Sequence, residues 1–555
     1  MNNWWKKAAV YQIYPKSFND SNGDGIGDIG GIIEKLDYLK NLGVEVVWLT
    51  PIYVSPQNDN GYDIADYYNI DPLFGTMEDF EKLLSETHKR GMKLIMDMVV
   101  NHTSTEHMWF KEALKGKDNP YHDYYIWKDG EEGRAPNNWI SKFGGSAWKY
   151  VPSLKQYYLH LFDVTQGDLN WECKTLREEV YKMMRFWLDK GVDGFRLDVV
   201  NLLSKDQRFL NDTLEDANHD GRRFYTDGPK IHDYLREMNE EVFSKYDESM
   251  TVGEMSSTTI DNCIKYTKPS RKELTMTFSF HHLKVDYLNG EKWSLMPFDF
   301  KKLKEILFDW QVEMEKGDGW NAVFWCNHDQ PRVLSRFGDD VNYLEESAKM
   351  LATVIHLMRG TPYIYQGEEI GMTNPKFDNI DLYRDVESIN AYNNLKKKGY
   401  KEEEILNILK VKSRDNSRTP MQWDDSENSG FTNGKPWISV SQNYDVINAK
   451  NNLLSEDSVF NYYKKLIKLR KENEIISNGT IKPIFQENSS IFAYERELNG
   501  EKLLIINNFY EKKIKILLNN YNIENGEILL SNYKGGILAQ NMELRPYESL
   551  VIKLK

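Results

Sequence analysis

The sequence predicts an α/β fold, a (β/α)8 barrel with a small domain inserted after the third strand and an antiparallel β domain at its C-terminal end. Three observations lead to this. Short β-rich apolar runs recur eight times, helical patterns separate them, and the end of the 555-residue chain changes to alternating apolar and polar positions. Strands that alternate with helices form parallel βαβ units, and eight such units favour a closed barrel of the TIM type over the alternative, an open doubly wound sheet.

In chain order the runs are VYQIYP from Val10, VEVVWLTP from Val44, KLIMDMVVNH from Lys93 and GVDGFRLDVV from Gly191. MTVGEM from Met250, LTMTFSF from Leu274, NAVFWCNHD from Asn321 and GTPYIYQGEE from Gly360 follow. MEDFEKLLSETHKRG, before the third run, shows helical spacing. From about Thr103 to Trp171 a stretch rich in Trp, Tyr, Gly and Asn interrupts the third unit, as a domain grown from a βα loop does. A second excursion, about Asn374 to Lys450, follows the eighth run. After the helical SVFNYYKKLIKLRKENEII, the segment SIFAYERELNGEKLLIINNFY alternates around a hairpin turn at Asn499 and Gly500. The expected division is a barrel of residues 1–102 and 172–478, an inserted domain at 103–171 and a β domain at 479–555.

Composition excludes several classes of function. Hydrophobic residues make up 40% of the chain and aromatic ones 13%, too many for a disordered protein. No apolar run is long enough to span a membrane, and the first fifteen residues lack the pattern of a signal peptide. Cys173, Cys263 and Cys326 are few, odd in number and far apart, which suits neither a disulfide framework nor a metal cluster. A reducing cytoplasm is the expected location, and a monomer or weak homo-oligomer the expected state. The net charge of -14 repels nucleic acid, and no basic stripe or recognition module is present.

Barrel active sites lie where strands end, and here several strands end in acids. Arg196 and Asp198 are two residues apart in GFRLDVV and so face the same side of a strand, where the guanidinium would keep the carboxylate ionised, as a nucleophile must be. Glu254 closes VGEM in apolar company, where desolvation and nearby negative charge would preserve its proton for general acid work. His328 and Asp329 in NHDQPR add a third carboxylate. A retaining glycosidase needs one ionised and one protonated carboxyl about 5–5.5 Å apart, a spacing that neighbouring strand ends can provide.

DMVVNH, GFRLDVV, VGEM and NHDQPR resemble, in order, the four signature regions of the α-amylase superfamily, glycoside hydrolase family 13, and the likeness runs from WWKKAAVYQIYPKSF to LRPYESLVIKL. The resemblance implies a retaining mechanism with Asp198 as nucleophile, Glu254 as acid/base and Asp329 on the hydroxyls of the distorted ring. It also implies that Tyr62 stacks on the reacting glucose, with Asp63, His102, Arg196, His328 and Arg414 around it. The chain is similar to the oligo-1,6-glucosidase branch, whose members act at a closed pocket, and Val200 matches a branched apolar residue typical of that branch.

That branch typically reads FQFEHMDLD after the sixth strand, whereas this chain reads FSFHHLKVDYLNGEKW. His281 and Lys284 replace two acids, and Lys292 lies close by. In a protein of this net charge, such a local reversal favours an anionic substrate, and lysine binds phosphate as a mobile point charge. The resemblance then extends to the phosphotrehalase branch, which cleaves α,α-trehalose 6-phosphate to glucose and glucose 6-phosphate. The alternatives are an oligo-1,6-glucosidase or general α-glucosidase acting on isomalto-oligosaccharides or sucrose and, from another class, a non-catalytic sugar-binding barrel.

One further motif concerns a metal. DSNGDGIGD sets Asp20, Asn22, Asp24, the Ile26 carbonyl and Asp28 at the spacing of the first nine positions of an EF-hand loop, with Gly25 at the sharp turn. Gly31 stands where an EF-hand has its closing Glu. The expectation is one structural Ca²⁺, with Mg²⁺ or an ion-free Gly/Asp turn as alternatives, and no cofactor for catalysis.

Overall fold

A computed structural model describes residues 3–214, 219–523, 525–536 and 538–554. Eight parallel strands form the centre: β1 Val10–Ile13, β2 Val46–Leu49, β3 Lys93–Val99, β4 Gly194–Asp198, β5 Met250–Met255, β6 Met276–Ser279, β7 Ala322–Val323 and β8 Thr361–Tyr365. They run in the order β6-β5-β4-β3-β2-β1-β8-β7, and one parallel bridge between Thr277 and Asn321 joins β6 to β7, closing the barrel. Their side chains are almost all buried because helices cover the outside and other side chains fill the inside, which explains why the strands read as continuous apolar runs.

All eight expected strands are present, but β7 is shorter than the run NAVFWCNHD suggests. The chain leaves the ladder after Val323, and the Trp325 ring turns outward to donate its Nε1–H to the Leu351 carbonyl at 2.7 Å. The segment freed from the ladder carries His328 and Asp329 into the strand-end face.

Local chemistry fixes the helices between strands. Asp28 caps helix Ile29–Leu42 by accepting the Gly31 amide at 2.6 Å, and Gly43 ends it at φ 101°, where a side chain would be strained. Thr76 and Asp79 form a capping box at the start of Met77–Lys89.

The insertion leaves the barrel through a narrow antiparallel pair, His102–Ser104 with Gln166–Asp168. Beyond this neck lies a three-stranded antiparallel sheet of Trp127–Asp129, Gln156–Leu159 and Trp148–Val151. Its apolar side chains, among them Trp139, Trp148 and Leu159, cluster with Phe209, Phe224 and Tyr225 from the loop after β4. Insertion and loop therefore form a single wall beside the site.

At the C-terminal end, a five-stranded antiparallel sheet runs Thr480–Ile484, Ile491–Leu498, Glu501–Asn508, Ser549–Leu554, Glu527–Ser531, with a further pair, Ile514–Leu517 and Asn541–Leu544. Asn499 and Gly500 form the tight turn between paired Leu498 and Glu501, both at positive φ (53° and 86°). The excursion after β8 folds over the barrel mouth and delivers Asp385, Glu387, Arg414 and Arg418. Among the described residues, no helix is long and apolar enough to cross a membrane.

Candidate active site

The buried Arg196 guanidinium organises the strand ends. Nη1 lies 2.7 Å from Asp97 Oδ1 and 2.6 Å from Asp198 Oδ1, and Nη2 lies 2.6 Å from Glu254 Oε2. One cation cannot neutralise three carboxylates in a dry site, so protons remain. Burial, then the proximity of Asp198 and Asp329 against the pull of Arg196, raises Glu254 to about 8. Burial raises Asp198 to about 7 and Asp97 to about 6, with Arg196 opposing both. The sequence led us to expect Arg196 to hold Asp198 firmly ionised. In the structure its charge is divided among three acids, and the negative charge of Asp198 itself raises Glu254, which favours leaving the last proton on the glutamate.

Glu254 Oε2 accepts two donors, Arg196 Nη2 and the Val199 amide at 3.1 Å. An oxygen engaged by two donors is the acceptor half of a carboxyl group, so the proton sits on Oε1. Val200, next along, is fully buried in the barrel core and acts as a packing residue.

Asp329 is ionised. Although burial pushes its pKa up, His328, Arg414, Arg418 and Arg196 together hold it far below the usual carboxylate range. Arg418 Nη2 and Arg414 Nη1 reach Oδ1 at 2.9 and 3.2 Å. His328 is neutral, pushed down by burial to about 3. Gln12 Nε2 lies 2.8 Å from His328 Nδ1, which makes Nδ1 the acceptor and leaves the N–H on Nε2, 3.3 Å from Asp329 Oδ2. Tyr62 stacks on the His328 ring at 5.2 Å and 4°, and donates its hydroxyl to Asp97 Oδ2 at 2.9 Å. His102 is also neutral, lowered by burial to about 4, and lies 3.2 Å from the Tyr62 carbonyl.

Asp63 requires a correction. Its Oδ1 accepts from Ser55 Oγ and the Asp59 amide, its Oδ2 accepts from the Asn58 amide, and the side chain is fully buried. It braces the loop and does not face the glucose position. Asp59, four residues earlier, carries its carboxylate to Arg414 Nη2 at 3.2 Å and to Gln166 Nε2 at 3.1 Å. Asp59 and Asp97 belong to the site and were missed. The position of Asp59 beside GYDI, and of Asp97 one strand period from Val99 at the end of β3, were the available signals. Asp385, 2.5 Å from Arg414 Nη2, sits in the second excursion, where sequence alone gave no signal.

Two of the three expected phosphate ligands also read differently. Lys292 is paired with Glu387 at 2.6 Å, so its charge is already answered. The His281 ring stacks on Trp310 at 4.6 Å, its Nδ1 lies 3.0 Å from Ser279 Oγ, and burial followed by Lys284 lowers it to about 4, so it carries no charge at neutral pH. Lys284 is exposed, and desolvation by its surroundings and then Arg222 lower its pKa. Among the described residues it forms no ion pair.

In the loop after β1, Asp20 Oδ1 accepts the Asn22 amide, Asn22 Oδ1 the Asp24 amide and Asp24 Oδ1 the Ile26 amide, the successive turns an ion-binding loop of this spacing needs. Asp28 Oδ1 accepts from Ser21 Oγ and the Gly31 amide, while Oδ2 accepts only the Ser21 amide and keeps a lone pair for a further partner. Among the described residues, no group of three or more His, Cys, Asp or Glu side chains is arranged to hold a metal, so an ion here would depend on the Asn22 amide oxygen and the Ile26 carbonyl.

A proton-bearing glutamate and a more acidic aspartate on neighbouring strand ends, facing a third, anionic carboxylate, define a glycoside hydrolase. The family model described as "Alpha amylase, catalytic domain" matches residues 12–479, and "Alpha-amylase SusG C-terminal domain" matches residues 491–551. The trehalose-6-phosphate hydrolase of Bacillus subtilis is 63% identical over 99% of this chain and 98% of that relative. An oligo-1,6-glucosidase of Bacillus cereus is 54% identical over 100% and 99%. The crystal structure of Bacillus licheniformis trehalose-6-phosphate hydrolase matches with a TM-score of 0.95 and 62% identity, covering 100% of both chains. The chain belongs to the α-amylase family.

Proposed function

We propose that this protein is a retaining α-glucosidase that hydrolyses α,α-trehalose 6-phosphate to glucose and glucose 6-phosphate. The observation that carries the chemistry is the Arg196 fork, which bonds Asp198 and Glu254 from adjacent nitrogens. Asp198 attacks the anomeric carbon as Glu254 Oε1 delivers its proton to the bridging oxygen, so the C–O bond breaks and glucose 6-phosphate leaves. Glu254, now a carboxylate, takes a proton from water, which cleaves the glucosyl ester and restores both groups with configuration retained. Asp59, Arg414, Asp329 and the Nε2–H of His328 supply the polar groups for the glucose hydroxyls.

The phosphorylated substrate is supported by Lys284, which forms no ion pair among the described residues, and by the trehalose-6-phosphate hydrolases among the relatives. Such a substrate belongs in the cytoplasm, where we place the enzyme. Turnover of trehalose 6-phosphate, trehalose, isomaltose and sucrose by the purified protein tests the reading; a preference for isomaltose would assign it to the oligo-1,6-glucosidases instead. We also propose that Asp20, Asn22, Asp24, Asp28 and the Ile26 carbonyl hold one structural Ca²⁺, remote from the bond that is cleaved.

A further inference from the structure

We propose that Lys142, which the inserted domain places beside Glu254, contacts the phosphate of the leaving group and sets selectivity for a phosphorylated over a neutral aglycone; this rests on the substrate reading above. Lys142 Nζ lies 3.2 Å from the hydroxyl of Ser256, two residues beyond Glu254, and over the Tyr225 ring at 5.4 Å. Among the described residues it forms no ion pair. A half-buried ammonium whose hydrogen-bond partner is one neutral hydroxyl has donors to spare for an anion.

The neighbouring residue fixes where this cation sits. The Phe143 ring lies under the Arg414 guanidinium at 5.1 Å and packs on Phe162 at 5.8 Å. Phe143 is thus tied to the glucose side of the site through Arg414, while Lys142 faces the side of Glu254, the group that protonates the departing sugar. A lysine there meets substituents of the leaving group and not of the glucose that becomes attached to Asp198.

Two further cations border the same rim. Burial and then Arg222 lower the pKa of Lys142 to about 8, with Lys284 acting in the same direction and Asp220 and Glu254 against it. Arg222 lowers Lys284 as well. The Asp220 carboxylate is engaged by Arg222 at 2.5 Å, so it does not pair with either lysine. Lys142 comes from the insertion, Arg222 from the loop after β4 and Lys284 from the loop after β6. The insertion and the loop after β6 thus bring two lysines, neither with an ion-pair partner among the described residues, to one edge beside the Arg222–Asp220 pair, and a phosphate dianion entering between them offsets their mutual repulsion.

The test uses Lys142→Gln and Lys142→Arg in the full-length enzyme, with trehalose 6-phosphate and p-nitrophenyl α-glucoside as substrates and glucose 6-phosphate as product inhibitor. We expect Lys142→Gln to lower the ratio of kcat/KM for the phosphorylated substrate to that for the aryl glucoside about tenfold, and to weaken inhibition by glucose 6-phosphate similarly, the effect of one charge-assisted contact. Lys142→Arg should recover most of both. An unchanged ratio, or equal losses on both substrates in a variant of unaltered Tm, would overturn the assignment of Lys142 while leaving the substrate reading intact. A parent enzyme that does not prefer trehalose 6-phosphate would overturn the substrate reading, and with it this one, before any variant is made.

Discussion

The backbone N–H of Val199 donates to Glu254 Oε2 at 3.1 Å, and Val199 adopts a φ of 35° to do so. Left-handed backbone at a β-branched residue costs about 1–3 kcal/mol and persists where surrounding structure holds it. Here the residue that follows the nucleophile is bent so that its amide fixes which oxygen of the acid/base carries the proton.

The protonation order gives a pH prediction. Catalysis needs Asp198 ionised and Glu254 protonated, so kcat/KM should rise through about 7 and fall through about 8. Both pKa values are raised on folding, so the stability these groups contribute is fully present below the unfolded carboxylate range of about 4 and is lost as pH rises through the folded values. Asp329 is depressed and acts oppositely, its contribution present above that range and lost on acidification. A pH–rate profile checks the pair; activity flat from pH 5 to 10 would contradict it.

The two acids should also separate by leaving group. Glu254→Gln should lose about 10²–10⁴ in kcat/KM on trehalose 6-phosphate but much less on an aryl glucoside, whose phenolate departs without a proton. Asp198→Asn should abolish turnover of both. Single-turnover kinetics on the two substrates show whether the losses divide in this way.

Asp59 and Asp63 should differ in kind although they lie four residues apart. Asp59→Asn should depress kcat/KM with little change in Tm, because it weakens a pair with Arg414 that faces the glucose position. Asp63→Ala leaves buried loop amides unsatisfied at about 1–3 kcal/mol each and should lower Tm. Thermal melts and steady-state kinetics on both variants decide the matter, and a reversed pattern would restore Asp63 as the sugar ligand.

Lys284→Ala should raise KM for trehalose 6-phosphate at least several-fold relative to an aryl glucoside. Lys292→Ala should act on both substrates alike, since it frees Glu387, which also lies 3.4 Å from Arg414. KM comparisons on the two substrates distinguish selectivity from general damage.

If the loop after β1 holds Ca²⁺, chelation should lower Tm while kcat, measured below the melting range, stays close to its starting value. Asp24→Asn should reproduce the shift without chelator. A Tm indifferent to both chelator and added Ca²⁺ would leave a loop held by its turns alone.

The barrel was legible because strands buried on both faces read as apolar runs whatever their neighbours, and acids closing such runs stand out. Loop residues were harder to read. Asp59 and Asp63 share one loop, and only its path shows that one carboxylate turns inward to amides while the other reaches Arg414. Lys292 looked free because its partner, Glu387, is 95 residues away. The positive rim was partly visible at Lys284, but Lys142 and Arg222 join it only through the packing of Trp139, Phe224 and Tyr225, which binds the insertion to the loop after β4.

The barrel's closure also has a mechanical consequence. Between β6 and β7 the hoop is fastened by a single bridge, Thr277 to Asn321, whereas β3 and β4 share a four-residue register. A ring yields first at its thinnest link, and this link stands two junctions along from that of β4 and β5, which supports Asp198 and Glu254. Opening there would part β6 from β7, whose outgoing segment carries His328 and Asp329, while the four-residue registers on both sides of β5 keep the reacting pair together.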